Sequence, residues 1–436
     1  MNYLLVLFIA ILSFVSCSEN KISSSMSLKN NLGITPEVIY ANEQELENIS
    51  KTKGALNWKM ARFLAYDEMV SMEIENGWVG ATLSKTPIII YNSYSEPKYY
   101  EFRVIKNGAE VGAITANINP VGGAIAYTLN FIKDYTKSIT KVNNGKIIDN
   151  NYPSVAFGII GKSGTKVSAL IDEENNNIQE SEEVADIIYL VDNYGISEVA
   201  QQIGVSEDDV SSILEYRKNN LVEIENEFTL INEALPNIEN LSDNEIKEML
   251  SGDTKAQVTY SRKIPKYENL EWLLYRGECG PSVVAWIYAG ISSVYNGYNV
   301  IQYNNRQRFQ NDLRGILKTT SAGVTFPNNF GRTFERITGG KYTSGWMLAP
   351  GSTFNHMKNA DMPAISLRGS RWKKWQWHYR VIYGAREERK EYRFLWWRWS
   401  RYKKKLYLHD NGEDGGASFI EDNYNWDLSH YPVKRK

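Results

Sequence analysis

The stretch that decides the reading runs from Tyr275 to Tyr288, YRGECGPSVVAWIY, and holds one of the two cysteines in 436 residues. Pro281 suits the first turn of a helix, where its missing N–H costs nothing. Val283, Val284, Ile287 and Tyr288 follow at helical intervals. Cys279 is therefore expected at a helix N-terminus, where unpaired N–H groups and the helix dipole favour an anion.

The other cysteine stands in MNYLLVLFIAILSFVSCSEN, an apolar run from Leu4 to Ile11, continuing through Leu12 and Phe14, that stops at Ser16-Cys17. That run is too short for a lasting membrane span. A small residue before a Cys after such a run resembles the lipobox of bacterial lipoproteins. The resemblance implies a signal peptide and lipobox over residues 1–17, lipidation of Cys17, and an exported lipoprotein held at the outer membrane or cell surface through its lipid. An exported chain ordinarily uses cysteines in pairs. With Cys17 acylated, Cys279 has no disulfide partner, and a lone thiol in an oxidising compartment is a candidate nucleophile.

Length suits two or three domains, and 42% hydrophobic with 12% aromatic residues is ample for real cores. The net charge of −2 hides an asymmetry: Ile171 to Lys255 carries 22 Asp/Glu against 4 Lys/Arg, and Asp361 to Asp410 carries 14 Lys/Arg against 5 Asp/Glu. The two segments carry opposite signs.

Residues 18–45 are polar and aperiodic, as a flexible tether is. Over 46–172 an α+β domain is expected. ALNWKMARFLAYDEMVSMEIENG reads as a helix with Leu56, Met60, Phe63, Val70 and Ile74 on one face, interrupted by Asp67. An antiparallel meander follows, with a two-residue turn at Asn107-Gly108. Residues 173–252 read as an acidic helical segment, with Ser206 and Ser242 as N-caps and Gly195, Gly204 and Gly252 as stops. VAQQIGVSEDDVSSIL has helix-turn-helix spacing, but Glu207, Asp208 and Asp209 stand where phosphates would approach, so no nucleic acid is expected. Asp172, Glu174, Asn176, Glu180 and Glu183 match an EF-hand loop in spacing, yet Asn177 replaces its glycine, and a solvated acidic loop is expected. Residues 253–265 read as a linker open to proteolysis, and 266–436 as a further domain that begins just before the Cys279 stretch.

A nucleophilic thiol needs a base and a group to orient it. Of four histidines, His378 leads the alternating strand HYRVIYGA, which ends at Gly384; His356 sits in an expected helix, His430 near the polar C-terminus, and His409 on the opposite face from its strand neighbours. KKLYLHDNG ends at Asp410, the expected orienting carboxylate, with Asn411 as the alternative. Trp372, Trp375, Trp377, Trp396, Trp397 and Trp399 lie among Lys and Arg in a long hairpin, expected to pack its aromatic face as core and leave its basic face solvated; docking of that basic face on the acidic 171–255 segment is the alternative, ahead of a polyanion surface.

The order CGPS, PAISL…WHYRVIYG, YLHDNG resembles the papain-like cysteine peptidase superfamily, the double-glycine leader peptidases most closely. YYEF-V, Tyr99 to Val104, with Gly112 and Ile114, resembles the cystatin-like prodomain of streptopain-type peptidases. These resemblances imply an α+β fold with a papain-like C-terminal domain, helix plus antiparallel sheet, behind a prodomain and a helical segment. They imply a secreted zymogen whose Cys279–His378–Asp410 triad cleaves protein or peptide substrates through a thioester, with an intramolecular prosegment and no cofactor or metal. A thiol amidase acting on peptidoglycan or isopeptide bonds and a non-catalytic surface-binding lipoprotein are the alternatives. Leu273 departs from the pattern, since papain-like enzymes carry an oxyanion-binding Gln six residues before the Cys.

Overall fold

The computed structural model describes residues 39–436 except 120–125, 130–131, 133, 143–144, 150–154, 172–176, 178–183, 186, 252–256, 269, 271–278, 321–324, 346–349, 371–376, 395–396, 411–416 and 423–426. Cys17, Leu273, Asn411, Trp372, Trp375, Trp396 and nearly all of the acidic EF-hand-like loop lie outside the described residues.

After a first helix, α1 (Glu43–Ser50), Asn57 caps α2 (Trp58–Met72) by accepting from the Lys59 N–H. The helix is where the sequence places it, but its buried surface is wider than one stripe. Trp58, Met60, Phe63, Leu64, Tyr66, Met69 and Met72 are buried, and so are Asp67 and Glu68. Ile74, expected on the apolar face, lies beyond the helix end and is 85% exposed.

The strands β1 (Ile88–Tyr91), β2 (Pro97–Lys106), β3 (Ala109–Asn117) and β4 (Ala126–Leu129) form the meander. Asn107 and Gly108 turn the β2–β3 hairpin with φ of 52° and 77°, a left-handed pair that Asn and Gly adopt readily. Gly112 lies so close to the Trp78 ring that a Cβ would come within 2.3 Å of it, so only glycine fits. β5 (Lys146–Asp149), β6 (Val155–Ile159) and β7 (Ser168–Ile171) extend the sheet. β5 runs parallel to β1, Ile90 opposite Ile147, so the expected purely antiparallel meander is mixed at this edge.

A two-residue strand β8 (Val184–Ala185) leads to α3 (Ile187–Tyr194), α4 (Ile196–Ile203), α5 (Glu207–Ile238) and α6 (Asp243–Ser251). The caps are local chemistry legible in the sequence. Ser206 and Asp209 form a reciprocal capping box, Ser242 exchanges hydrogen bonds with Glu245, and Gly204 ends α4 in the left-handed conformation.

The expected linker is different: Gln257–Lys263 is a strand, β9, antiparallel to the strand that carries His378. Its polar residues read as a loop because its ladder partners, Gly384 to Arg389, all lie more than a hundred residues away. Beyond a one-turn helix (Pro265–Glu268) and a two-residue hairpin (Val294–Tyr295 with Tyr298–Asn299), the chain continues through α7 (Cys279–Ile291), α8 (Tyr303–Leu317), α9 (Asn329–Ile337), β10 (Tyr342–Ser344), α10 (Pro350–Asn359), β11 (Ala364–Ser370), β12 (Trp377–Phe394), β13 (Trp397–Asp410), β14 (Ala417–Asp422) and β15 (Asp427–Arg435).

The architecture is α+β. One sheet runs β10-β15-β11-β12-β13-β14-β4-β3-β2-β1-β5-β6-β7, with β9 along the far half of β12 and β8 at the end of β11. The join between its halves is β14 on β4, where Phe419 faces Leu129 and Ile420 faces Thr128. Among the described residues, the basic hairpin β12–β13 meets α2, where Lys403 and Lys405 pair with Asp67 and Glu68 and are buried, so this part of its basic face is not solvated.

Candidate active site

α7 is buried from Gly280 to Ala289, and Cys279, its first residue, is partly exposed. The fit at this start is tight. A Cβ on Gly280 would meet Thr325 Oγ1 at 2.3 Å and Thr325 Cβ at 2.5 Å, so glycine is required beside the thiol. One turn on, Ser282 Oγ accepts from Gln310 Nε2 at 3.2 Å. Further along, Trp286 donates to the Leu270 carbonyl at 3.0 Å and stacks on His409, ring centroids 4.7 Å apart. His409 is thus buried packing on the face opposite its strand neighbours, in line with the sequence reading.

Thr325 also ties α7 to the sheet. Its carbonyl accepts from the Tyr379 hydroxyl at 2.6 Å. Burial pushes that hydroxyl well above its ordinary pKa, Tyr431 adds to the shift, and Cys279 is near enough to contribute as well. The start of α7 therefore meets the start of β12, one residue along from His378.

The register fixes the rest. Arg368 of β11 faces His378, and Arg380 of β12 faces both Ser366 of β11 and Asp410 of β13. On the far side of β11, Asp427 faces Arg368 and His430 faces Ser366. Because strand side chains alternate, these positions share one face of the sheet. The result is a polar layer beneath α10: Arg380, Ser366 and His430 are wholly buried, and Arg368 is 3% exposed. Ser366 Oγ makes no hydrogen bond to a described residue, and His430 Nδ1 lies 2.6 Å from Thr353 Oγ1 of α10. Such a layer is costly unless its members satisfy one another.

Sequence reasoning gave His430 no role and passed over Arg368, Arg380 and Ser366. Their shared parity with His378 and Asp410 was the available signal. His356 lies on α10 as expected, half-buried, its imidazole held below the ordinary pKa by burial and by Lys434.

The other face of β12 carries Tyr379, Val381 and Tyr383, with His409 of β13, and α7 lies against it. Cys279, His378 and Asp410 thus gather at one end of one layer: the start of α7, the start of β12 and the end of β13. The thiol approaches β12 from the Tyr379 side, whereas alternation assigns His378 to the other. Among the described residues no group of three His, Cys, Asp or Glu is placed to hold a metal ion.

No protein-family model, no curated protein and no solved structure matches the chain.

Proposed function

We propose that the chain is an exported, lipid-anchored thiol hydrolase with a papain-like C-terminal domain, acting on peptide bonds. The observation that carries this reading is the convergence of a partly exposed Cys279 at the start of a buried helix with the His378 end of β12 and the Asp410 end of β13. In this reading His378 takes the Cys279 proton and the thiolate adds to the amide carbonyl carbon. The protonated imidazole then gives its proton to the departing amine as the C–N bond breaks, leaving a thioester. Water, deprotonated by His378, displaces the thiolate and releases the acid. Asp410 orients the imidazole.

A second reading, a binding protein that keeps the fold without the chemistry, draws on one observation. α7 lies on the Tyr379 face of β12, so the His378 imidazole must turn at the start of the strand to reach the thiol. Hydrolysis of casein and of cell-wall material is measured for wild type, Cys279→Ala and His378→Ala, before and after iodoacetamide. The hydrolase reading requires a wild-type activity that iodoacetamide and both substitutions abolish. No activity in wild type favours the binding protein, activity surviving in Cys279→Ala removes the thiol from the mechanism and refutes the proposal, and the substrate cleaved separates a peptidase from a peptidoglycan or isopeptide amidase.

A further inference from the structure

The odd-numbered face of β13 continues past the site into a charged core. Lys403 contacts Asp67 at 3.3 Å and also pairs with Glu68. Lys405 pairs with Glu68 and lies 3.5 Å from Glu388. Arg386 pairs with Glu388, reaches Glu75 at 2.7 Å and donates to the Ser71 carbonyl at 2.9 Å. Lys263 of β9 meets Glu75 at 2.7 Å, and the Tyr407 hydroxyl donates to the same carboxylate at 2.9 Å. Burial opposes the charge on Lys263, but Glu75 and then Glu268 together outweigh it and hold that ammonium above its ordinary pKa. Four carboxylates meet four cations, and the Asp67, Glu68, Glu388, Lys403 and Lys405 side chains are at most 2% exposed.

From this geometry we propose that residues 40–251 are a permanent partner of the C-terminal part and not a prosegment that leaves. The Arg386–Lys405 face of the β12–β13 hairpin is the interaction surface, and the carboxylates of α2 with Glu75 are its partner. Ion pairs this buried contribute specificity more than affinity. The affinity comes from what they align. β14 pairs with β4 through Phe419, Ile420 and Glu421, and β8 pairs with the end of β11. The Tyr431 hydroxyl reaches the Ile203 carbonyl at 3.3 Å. Were residues 40–251 to depart, β14 and β4 would become open edges. The far half of the hairpin would keep β9 but lose the helix that covers its charged face, and thin sheets without such cover are marginal in water. This proposal concerns association and does not depend on Cys279 chemistry.

The test uses the full chain with a recognition site for a specific protease inserted after Gly252. After cutting, size-exclusion chromatography is run at low salt and at about 1 M salt, where exposed pairs are screened and buried ones much less so. The expected result is one species containing both pieces at either salt concentration. Separation at low salt overturns the proposal outright. Separation only at high salt overturns it too, because it shows docking by exposed charge. Lys405→Met and Glu68→Gln are each expected to weaken association by about a hundredfold or more, since each leaves a buried charge uncompensated. Arg389→Ala, at an exposed pair, is expected to leave it unchanged. Equal loss in Arg389→Ala refutes the assignment to the buried network, and the salt comparison on cut wild type decides the question if a variant does not fold.

Discussion

Replacing Gly280 by alanine sets two effects of known sign against each other. Inside a helix, alanine is favoured over glycine by about 1 kcal/mol, so propensity alone predicts stabilisation. Sterics predict the reverse. The new Cβ would lie 2.3 Å from Thr325 Oγ1 and 2.5 Å from its Cβ, and ordinary contact begins near 3.4 Å. Thr325 cannot retreat easily, because it is buried, its carbonyl holds the Tyr379 hydroxyl and its Oγ1 lies 2.8 Å from Thr319 Oγ1. Relief requires the start of α7 to move by about 1 Å, and overpacking on that scale costs about 1–3 kcal/mol. The two contributions leave a net loss of about 1 kcal/mol, a fall of roughly 2–4 °C in Tm for a domain of this size. Catalysis is the more sensitive readout, since a displacement of about 1 Å at a reacting group is worth about a hundredfold in rate. Thermal melting and casein hydrolysis are measured together. Iodoacetamide alkylation, which needs no alignment between thiol and imidazole, is expected to change far less than hydrolysis. Adding Thr325→Gly removes all three clashing side-chain atoms, Oγ1, Cβ and Cγ2, and is expected to recover part of the hydrolysis. If Gly280→Ala melts at or above wild type and hydrolyses casein normally, the tight start of α7 has no bearing on the site.

His378→Ala is expected to lower kcat/KM at least about a hundredfold, the usual worth of a general base, without changing Tm; retained activity removes His378 from the mechanism. Arg380 is wholly buried, and a guanidinium is found there only when paired. Arg380→Met is expected to cost about 3–5 kcal/mol in urea unfolding, and Arg380→Lys to recover only part of it because the planar fork is lost. A loss below about 1 kcal/mol, as for a surface pair, would show that the polar layer does not depend on it. His356 has its folded pKa lowered by burial and Lys434. Above the unfolded value of about 6.5 both states are neutral and nothing is lost; as pH falls through that value the unfolded state takes the proton first, and stability declines. His356→Gln is expected to lose less stability than wild type between about pH 7.5 and pH 5.5, compared by urea midpoints. Parallel pH curves for the two proteins refute this.

What was legible in the sequence is what short-range stereochemistry decides. The Asn107-Gly108 turn, the Ser206 and Ser242 caps, the Gly204 stop and the Cys-Gly-Pro start of α7 each depend on residues within a turn of one another. Asp67 shows the other case. In the sequence it only interrupts an apolar face; in the fold it meets Lys403, 336 residues away, and the interruption is the contact. β9 was read as a linker for the same reason, since its ladder partners on β12 run from Gly384 to Arg389.

The ordered set Cys279, His378, Asp410 lies between these cases. Its residues lie at three element ends that meet at one end of a layer, because helix start, strand start and strand end are local properties. The face each side chain takes is not local. With a period of two, His378 and Tyr379 exchange sides if β12 slips by one residue against its neighbours. The register is held by Arg368 opposite His378 and Arg380 opposite Asp410, and the bulge between Ile382 and Gly384 places Tyr383 and Gly384 together opposite Tyr407. Up to that bulge the register puts Tyr379 and His409 under α7 and the polar positions under α10. A hydrolase built on this frame needs the first residues of β12 to bring one imidazole around the strand. His378→Ala and Gly280→Ala therefore probe one requirement from its two sides, base and thiol, and a hydrolase must respond to both.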